Sequence, residues 1–426
     1  MNSEKFRIDS AYDQFILGVG KPTLNSSLFI LHFSLKLKAI ILINEVLIVD
    51  IKELRNNIDR IDGELTKLFK ERMETAAAIG KYKQENGLPV FNKEREREVL
   101  NSVTGSVPHE LEGYTKTLYQ TIFNLSRSYQ KKLIKPQSPV SKMIEDVTNS
   151  TPCERPSRAI VACQGVEGAY SQFACDKMFE YPSIVYCRGF EDVFKAVDSG
   201  LCRYGILPVE NSTAGTVNKV YDLMEQYKFY ITHSLKLFIR HSILAPDGVK
   251  LEDIKEIFSH EQAINQCSEF IASLGVKVTV CENTAVAAKM VVESGRKDCA
   301  SIGSKDGAAQ YGLNALKTGI QNTDNNYTRF ICISKKPEIY PGAKKTSFMM
   351  TIPHEPGSLY NILSRFSALG LNMTKLESRP IPGSNFEFMF YFDIDASVYS
   401  ENLKALFSEL ENDAEKFIYL GSYTED

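Results

Sequence analysis

The chain lacks the features that mark several large classes of protein. Its nine cysteines are an odd number, are scattered and include no CxxC pair, which argues against a disulfide framework or a zinc ribbon and favours the reducing cytoplasm. The formal net charge is only -3, and no long cluster of lysine and arginine indicates nucleic acid binding. Because no cluster of metal ligands and no GxGxxG loop stands out, we expect no metal and no organic cofactor. An anionic ligand would have to be held by a few local cations.

A long uninterrupted hydrophobic run is also missing. Residues 28–49 are largely apolar, but Lys36, Lys38 and Glu45 interrupt them, and a central lysine costs about 2.5 to 3.5 kcal/mol in a membrane. The acidic start and the absence of a small-residue cleavage site disfavour a signal peptide. We therefore expect no membrane span, and we treat residues 1–50 as an N-terminal extension of unassigned role.

The composition, with 43% hydrophobic and 24% charged residues, is typical of a globular protein. The length and three different sequence patterns along the chain predict several domains. Residues 51–134 show helical periodicity and few glycines or prolines. Residues 135–157 are rich in Pro, Ser and Thr and predict a linker. Residues 158–337 alternate short strand-like and helix-like runs, which predicts an α/β domain. Residues 338–426 read βαββαβ, the ferredoxin-like order.

The helical part carries charges on its apolar stripe. Apolar residues three and four apart predict a long amphipathic helix from Ile51 to Leu68, and the same rhythm places Arg72 on the buried side. Eleven residues later Lys83 returns to within about 20° of that face. Two cations beside a small apolar patch are typical of a pocket for a compact dicarboxylate, although surface residues paired with glutamates explain the spacing equally well. A bundle this thin also favours dimerisation through the long helix.

The run LRNNIDRIDGELTKLFKERMETAAAIGKYKQENGLPVFNKEREREVL resembles the all-helical chorismate mutase domain. By position, the residues that match the family's substrate-binding and catalytic set are Arg55, Arg72, Lys83, Arg95, Glu96, Ser126 and Gln130. Asn92 stands where a relative carries an acid and is counted with the substrate-binding residues. The resemblance implies that Lys83 and Gln130 face the ether oxygen of chorismate, while the arginines hold its carboxylates and Glu96 its ring hydroxyl. It also implies that Arg55 reaches a neighbouring subunit's site, so we expect a homodimer or larger assembly.

In the α/β part, four polar motifs follow strand-like runs: GxxGxYSxxA, LPVENSTAGTV, SHEQAINQC and YTRF. Each alone has a plainer interpretation as a tight turn, a helix cap or a structural hydrogen bond. Ligands bind at strand ends in open α/β sheets, so four such motifs together carry more weight than one.

In this order the four motifs resemble the prephenate dehydratase domain, which implies a two-lobed fold like the periplasmic binding proteins, with the substrate in the cleft. Thr328 matches the family's essential threonine, and the matching pocket residues are Glu210, Asn211, Ser259, His260 and Gln266. We expect Thr328 to donate to the leaving hydroxyl, with His260 as a helper. Arg329 or N–H groups of the turns would hold the pyruvyl carboxylate.

The C-terminal part contains PGSLYNIL and LNMTKLESRPI, and it resembles the ACT regulatory domain of the phenylalanine-sensing kind. The resemblance implies phenylalanine binding across a dimer interface by Gly357, Leu359, Asn372, Glu377, Ser378 and Arg379. Ser358 departs from the usual Ala of this motif, which could alter effector affinity. A plainer alternative makes Gly357 a turn residue and Glu377 and Arg379 a surface ion pair.

Together these resemblances predict a bifunctional enzyme of phenylalanine biosynthesis, a chorismate mutase and prephenate dehydratase inhibited by phenylalanine. Two alternatives stay open. The dehydratase could act on arogenate, because the motifs are largely shared, although a fused mutase that produces prephenate favours prephenate. The chain could also be a non-catalytic sensor of aromatic amino acids, against which the intact Thr328 and the mutase cations count.

Overall fold

A computed structural model describes residues 51–134, 138–381 and 387–426. The chain divides into two compact units, Met1–Thr75 and Ala76–Asp426, with the boundary inside the first described helix. Over the described ranges, none of the helices is long and apolar enough to cross a membrane. The apolar stretch and the rest of the predicted N-terminal extension lie outside the described residues.

Residues 51–134 form the three helices that the sequence predicts: α1 (Ile51–Glu85), α2 (Lys93–Thr104) and α3 (His109–Ile134). The side chain of Asn92 caps α2 by accepting a hydrogen bond from the backbone N–H of Arg95 at 3.0 Å. The predicted apolar stripe of α1 is not buried. Its members, each 40 to 60% exposed, are Ile51, Leu54, Ile58, Ile61, Leu65 and Leu68. A helix with an apolar face of this length needs a further surface to cover it.

The predicted linker contains a helix, so the expectation for residues 135–157 is wrong in part. Helix α4 (Pro139–Ser150) begins at the N-cap Ser138, whose hydroxyl accepts from Ser141 N at 2.9 Å. Ile144 is 4% exposed and packs into the core of the C-terminal domain. The Pro, Ser and Thr content suggested a flexible segment, but Pro at the first turn and apolar residues on one face suit a short amphipathic helix.

The α/β part has two lobes, as predicted. The strands of the first lobe are β1 (Arg158–Gln164), β2 (Tyr181–Cys187), β3 (Tyr204–Asn211), β4 (Gly215–Thr216), β5 (Tyr230–Phe238) and β11 (Tyr327–Ser334). Its helices are α5 (Tyr170–Met178), α6 (Phe190–Asp198) and α7 (Asn218–Tyr227). The strand order is β5-β11-β3-β1-β2, with β4 beside β3. Neighbouring residues of β1 enter different core clusters on the two faces, which explains its continuous apolar sequence.

The second lobe begins after β5 and ends before β11, so the chain crosses between the lobes twice. Its strands are β6 (Ser242–Ala245), β7 (Glu256–His260), β8 (Lys277–Cys281), β9 (Cys299–Gly303) and β10 (Asn314–Thr318), in the order β10-β6-β9-β7-β8. Its helices are α8 (Glu261–Gln266), α9 (Ser268–Leu274), α10 (Thr284–Ser294) and α11 (Lys305–Gln310), with a 3-10 turn at Leu251–Asp253. The sequence analysis did not predict β5, β6 or β10.

The C-terminal part has the predicted βαββαβ order. Its elements are β12 (Lys345–Thr351), α12 (Ser358–Ala368), β13 (Asn372–Pro380), β14 (Phe388–Asp395), α13 (Glu401–Asp413) and β15 (Phe417–Glu425). The end of β15 runs parallel to β5, with Thr424 opposite His233, and so joins this sheet to that of the first lobe. Gly421 permits the junction, because a Cβ there would lie 2.2 Å from the carbonyl oxygen of Ile231.

Candidate active sites

The end of β3 and the start of β11 place two predicted site residues side by side. Thr328 lies opposite Asn211 in the antiparallel register, and Asn211 Nδ2 donates to Thr328 Oγ1 at 2.9 Å. Asn211 is buried and Thr328 half-buried. Because the Thr328 oxygen already accepts a hydrogen bond, its own hydrogen is available for another acceptor. The pair therefore presents a hydroxyl donor at the mouth of the strands.

The turn after β3 holds Asn211 in this orientation. Its Oδ1 accepts from the backbone N–H groups of Thr213 at 3.1 Å and Ala214 at 2.9 Å, and from Thr213 Oγ1 at 2.7 Å. Asparagine often folds a turn in this way, by accepting from N–H groups two and three residues on. The turn and the site are thus one structure, since the same amide that organises the turn also orients Thr328.

Gln266, at the end of α8, connects the second lobe to this group. Its Nε2 donates to Thr213 Oγ1 at 2.7 Å, and its Oε1 accepts from Asn326 Nδ2 at 2.9 Å and from His241 Nε2 at 2.8 Å. The predicted residues Asn211, Gln266 and Thr328 are therefore brought together, as the sequence motifs suggest.

Sequence reasoning missed His241. Because Gln266 Oε1 accepts its Nε2 hydrogen, Nδ1 is an acceptor; it is buried and has no hydrogen-bond partner among the described residues. Burial lowers the pKa of His241, against a smaller opposing effect of the Gln266 hydrogen bond. Its signal in the sequence was only a polar stretch, Arg240 to Ser242, at the entry to the unpredicted strand β6.

A cavity of about 570 Å³ opens beside this group. Its lining includes Thr213, His260, Gln266, Asn322 and Asn326, which come from both lobes and from the segment before β11. This volume lies in the range of small-molecule sites. His260 both lines the cavity and caps α8, since its Nδ1 accepts from the backbone N–H of Gln262 at 3.2 Å.

Two predicted pocket residues face elsewhere. Ser259 is fully buried and donates to the Ile302 carbonyl of the neighbouring strand at 2.9 Å. Glu210 precedes Asn211 in β3, so its side chain points to the opposite face of the sheet, where its carboxylate lies 3.1 Å from Lys375 Nζ of the C-terminal domain. The structure does not support a substrate contact for either residue.

The predicted role of Arg329 in holding a substrate carboxylate is also not supported. The guanidinium is 5% exposed and turns away from Thr328 towards the C-terminal domain. It pairs with Asp393, lies 2.8 Å from a Glu425 oxygen and donates to Tyr423 at 2.7 Å. Because adjacent residues of a strand face opposite sides, Thr328 and Arg329 cannot serve one pocket.

Within Ala76–Asp426, the helical site is built where α1 crosses α3. Gly80 lets the helices approach closely, since a Cβ there would lie 2.9 Å from Gln130 Cγ. Gln130 is 8% exposed, and its Oε1 has no hydrogen-bond partner among the described residues. Lys83, one turn after Gly80, is half-buried and donates to the Val90 carbonyl at 2.6 Å. The contact of Gly80 with Gln130 thus brings Gln130 near the turn of α1 that carries Lys83.

The other predicted mutase residues of this unit are engaged in separate local contacts. Arg95 is exposed and pairs with Glu98 at 2.9 Å, whereas Glu96 is half-buried and pairs with Arg127. Asn92 is engaged in capping α2, and the buried Ser126 donates to the Ile122 carbonyl at 2.7 Å.

Two predicted arginines belong to the first compact unit. Arg55 is exposed on α1, and Arg72 is half-buried four residues before Ala76, where the second unit begins. Their predicted contacts with substrate stay predictions.

The predicted effector residues lie on two elements of the C-terminal domain. Gly357 is the N-cap of α12 with φ +88, a backbone conformation that favours glycine, and Leu359 follows in the first turn. The predicted residues Glu377, Ser378 and Arg379 are consecutive in β13, so their side chains alternate between the two faces of the strand. Glu377 accepts from Thr216 at 2.9 Å and Arg379 lies 3.2 Å from Asp222, so both contact the first lobe.

The other two predicted effector residues of β13, Asn372 and Ser378, are exposed. Ser378 lies on the opposite face of β13 from its neighbours, and Asn372 donates to Asp395 at 3.1 Å. Consecutive positions of one strand cannot all line one effector pocket within a single copy.

Two family models match the chain. Chorismate mutase type II matches residues 54–131, and prephenate dehydratase matches residues 161–338. The bifunctional chorismate mutase/prephenate dehydratase of Escherichia coli (strain K12) is 32% identical over 381 residues, which span 87% of this chain and 95% of that protein. Arogenate dehydratase 2 of Petunia hybrida is 34% identical over 306 residues, which span 68% of this chain and 77% of that protein.

A solved structure shares the fold of a large part of the chain. The prephenate dehydratase of Arthrobacter aurescens, solved in complex with L-Phe, is 26% identical with a TM-score of 0.58 and covers 62% of this chain and 89% of that one. The two family models cover the residues of the helical site and of the two-lobed cleft.

Proposed function

The chain belongs to the family of bifunctional chorismate mutase/prephenate dehydratases, and we propose how its residues carry the two reactions. It rearranges chorismate to prephenate, and it converts prephenate to phenylpyruvate with loss of carbon dioxide and water. The observation that carries the second assignment is the hydrogen-bonded group of Asn211, Gln266 and Thr328 beside the cavity.

For the mutase we propose electrostatic catalysis without a covalent intermediate. The rearrangement is one pericyclic step, so the protein has to fold the enolpyruvyl chain over the ring and stabilise charge on the ether oxygen. The ammonium group of Lys83 has three donor hydrogens and donates one to the Val90 carbonyl. The other two can donate to the ether oxygen beside Gln130. Arg95 sits in an exposed ion pair of small energy, from which it can turn to a substrate carboxylate.

We further propose that the mutase works as a dimer. The exposed apolar stripe of α1 is suited to cover by a second copy, and Arg55 on the same helix would then enter the partner's site. In this arrangement each site would gain a cation from the partner copy.

For the dehydratase we propose that Thr328 assists the departure of the ring hydroxyl. When the carbon–carbon bond to the ring carboxylate breaks, its electron pair enters the ring, carbon dioxide leaves and hydroxide departs from the opposite carbon. A hydrogen bond from Thr328 Oγ1 stabilises the charge on that oxygen, which takes its proton from solvent. Asn211 orients the hydroxyl, and Gln266, Asn326 and His260 line the space for the rest of the substrate.

Arogenate is the second candidate substrate, because the Petunia hybrida relative is an arogenate dehydratase. The helical mutase part favours prephenate, since prephenate is the product of a chorismate mutase. We also propose phenylalanine as effector, supported by the L-Phe complex of the Arthrobacter aurescens protein. A cytoplasmic location is likewise proposed, because all nine cysteines are free.

One experiment tests these assignments. Purified protein is given chorismate, prephenate or arogenate, with and without phenylalanine, and the products are identified by mass spectrometry. We expect chorismate to yield phenylpyruvate by way of prephenate, and phenylalanine to slow the second step. Formation of phenylalanine from arogenate at a higher kcat/KM than phenylpyruvate from prephenate would reverse the substrate preference. Absence of any product would favour a non-catalytic sensor.

A further inference from the structure

The carboxylate of Glu96 has a cationic partner that the sequence motifs do not name. Arg127 of α3 donates from Nη1 to Glu96 Oε1 of α2. The two side chains are 20% and 28% exposed, so water screens this pair less than the ion pairs of α1 and α2, whose side chains are 60 to 79% exposed. The guanidinium also lies over the ring of Phe91, with Cζ 5.2 Å from the ring centroid. Arg127 is thus held by one contact in α2 and by another in the segment just before it.

This pairing leaves Glu96 able to bind substrate. A carboxylate accepts at two oxygens, and Arg127 occupies only Oε1, so Oε2 is left for the ring hydroxyl assigned to Glu96. Arg127 itself is on the flank of the site. At about 100° per residue it lies about 60° from Gln130, which borders the site, and about 60° from Asn124 on the other side.

Asn124 ties Arg127 to the C-terminal domain. Arg127 Nη2 donates to Asn124 Oδ1, and Asn124 Nδ2 donates to Asn361 Oδ1 of α12 at 2.8 Å. Asn124 is 5% exposed, so leaving its amide without a partner would be costly. Asn361 lies one turn after Gly357, at the start of the same helix. A continuous set of hydrogen bonds therefore runs from the first turn of α12 to the carboxylate of Glu96.

We infer that Arg127 is a positioning residue of the mutase reaction, which holds the Glu96 carboxylate towards chorismate, and that the C-terminal domain keeps Arg127 in place through Asn361 and Asn124. The inference rests on the proposed role of Glu96 in binding the ring hydroxyl. It makes the C-terminal domain a structural part of the mutase site.

The first test compares Arg127→Met, Arg127→Lys and Glu96→Gln, alone and combined, by steady-state chorismate mutase kinetics on the full chain. We expect Arg127→Met to lower kcat/KM about tenfold, because a misplaced hydroxyl acceptor weakens transition-state binding, and Arg127→Lys to restore part of the loss. The variant combining Arg127→Met with Glu96→Gln should be no worse than Glu96→Gln alone, since two residues that act as one unit are not additive. Dehydratase turnover of prephenate in the same preparations reports on folding.

The second test moves to the C-terminal domain. Asn361→Ala removes the partner of Asn124 and should lower mutase kcat/KM about threefold with dehydratase turnover unchanged. Tyr360→Phe is the matched control, because it removes the neighbouring hydrogen bond to Thr121, 3.1 Å long, without touching the Arg127 chain. It should leave both activities unchanged.

The outcomes separate two failures. If Glu96→Gln leaves mutase kcat/KM unchanged, the proposed role of Glu96 is wrong. If Glu96→Gln lowers it but Arg127→Met does not, or the losses of the two variants multiply, the inference about Arg127 is overturned while the site stands. Equal losses of mutase kcat/KM in Asn361→Ala and Tyr360→Phe would overturn the inferred role of Asn361, since they would reflect general weakening of the contact between α3 and α12.

Discussion

The helical part and the two-lobed part differ in how much of a site one copy of the chain assembles. In the cleft, Asn211, Gln266 and Thr328 are already joined by hydrogen bonds. On α1, the predicted Arg55 is exposed and the apolar stripe is uncovered. A cleft between two lobes of one chain can be completed by folding alone, whereas a thin helical bundle needs more surface than it has. The two reactions should therefore respond differently to mutation and dilution.

The largest effect is expected from Thr328→Ala, which removes the hydroxyl donor of the cleft. Loss of the hydroxyl should lower phenylpyruvate formation from prephenate by about 10³-fold, because the leaving hydroxide loses its hydrogen-bond donor. Prephenate formation from chorismate should stay at the wild-type rate. Thr328→Ser keeps the donor and serves as the control. Parallel loss of both activities would indicate misfolding, and an unchanged dehydratase rate would remove Thr328 from the mechanism.

The next largest effect is expected from Lys83→Ala, which tests the helical mutase site. Without the ammonium group beside the ether oxygen, the mutase rate should fall about 10²-fold, since one donor to a developing charge contributes at this level. Dehydratase turnover of added prephenate is measured on the same sample and should not change. An unaltered mutase rate would exclude Lys83 from the site.

Ile58→Glu places a charge on the exposed stripe of α1 and sharpens the contrast between shared and self-contained sites. If a second copy covers that stripe, the charge weakens the dimer, and mutase specific activity should fall about tenfold at a fixed protein concentration. The wild-type mutase activity should likewise fall on dilution, while the dehydratase activity should not. Sedimentation of both proteins shows whether association changed. A variant that sediments and reacts like the wild type would contradict the shared site.

The smallest effect on either activity is expected at the junction of the two sheets, away from both sites, where the change is one of stability. Burial, together with the nearby Arg155, lowers the pKa of His233 to about 4, against the opposing pull of Asp426. The unfolded chain, with a histidine pKa near 6.5, binds the proton more readily, so the free energy of unfolding should fall as pH drops from about 6.5 to about 4. We expect a loss of about 1–3 kcal/mol.

Urea unfolding followed by circular dichroism across this pH range measures the loss. In His233→Gln the pH dependence should become weaker, and the part that remains is expected from His241, whose pKa is also lowered by burial. His354→Gln alters an exposed histidine and should keep the pH dependence. If the slope persists unchanged in His233→Gln, another group is responsible.

Local patterns predicted most elements, and the failures share a physical cause. Periodicity located α1 and the βαββαβ order of the C-terminal part, because each depends on neighbours in sequence. The same reasoning missed β5, β6 and β10, and it took the residues of α4 for a linker. These segments gain stability from distant partners, as when Ile144 of α4 enters the C-terminal core.

The candidate sites show the same limit at the level of single residues. The motifs ENST and TRF placed Asn211 and Thr328 correctly at strand ends, but their neighbours Glu210 and Arg329 contact the C-terminal domain. Sequence shows that two residues are adjacent, and strand alternation then requires that they face opposite sides. Which side meets the substrate depends on what covers each face of the sheet.

The sequence by itself determined the chemistry that the chain can offer: four ordered motifs for the dehydratase and a set of cations on helices for the mutase. It also determined the local elements that carry them, since helical and strand periods are properties of neighbouring residues. Only the tertiary structure decided that His241 supports Gln266, that Arg127 holds Glu96, and that β15 joins the two sheets at Gly421. Those contacts join residues far apart in the chain, and their geometry exists only after the separate elements have packed together.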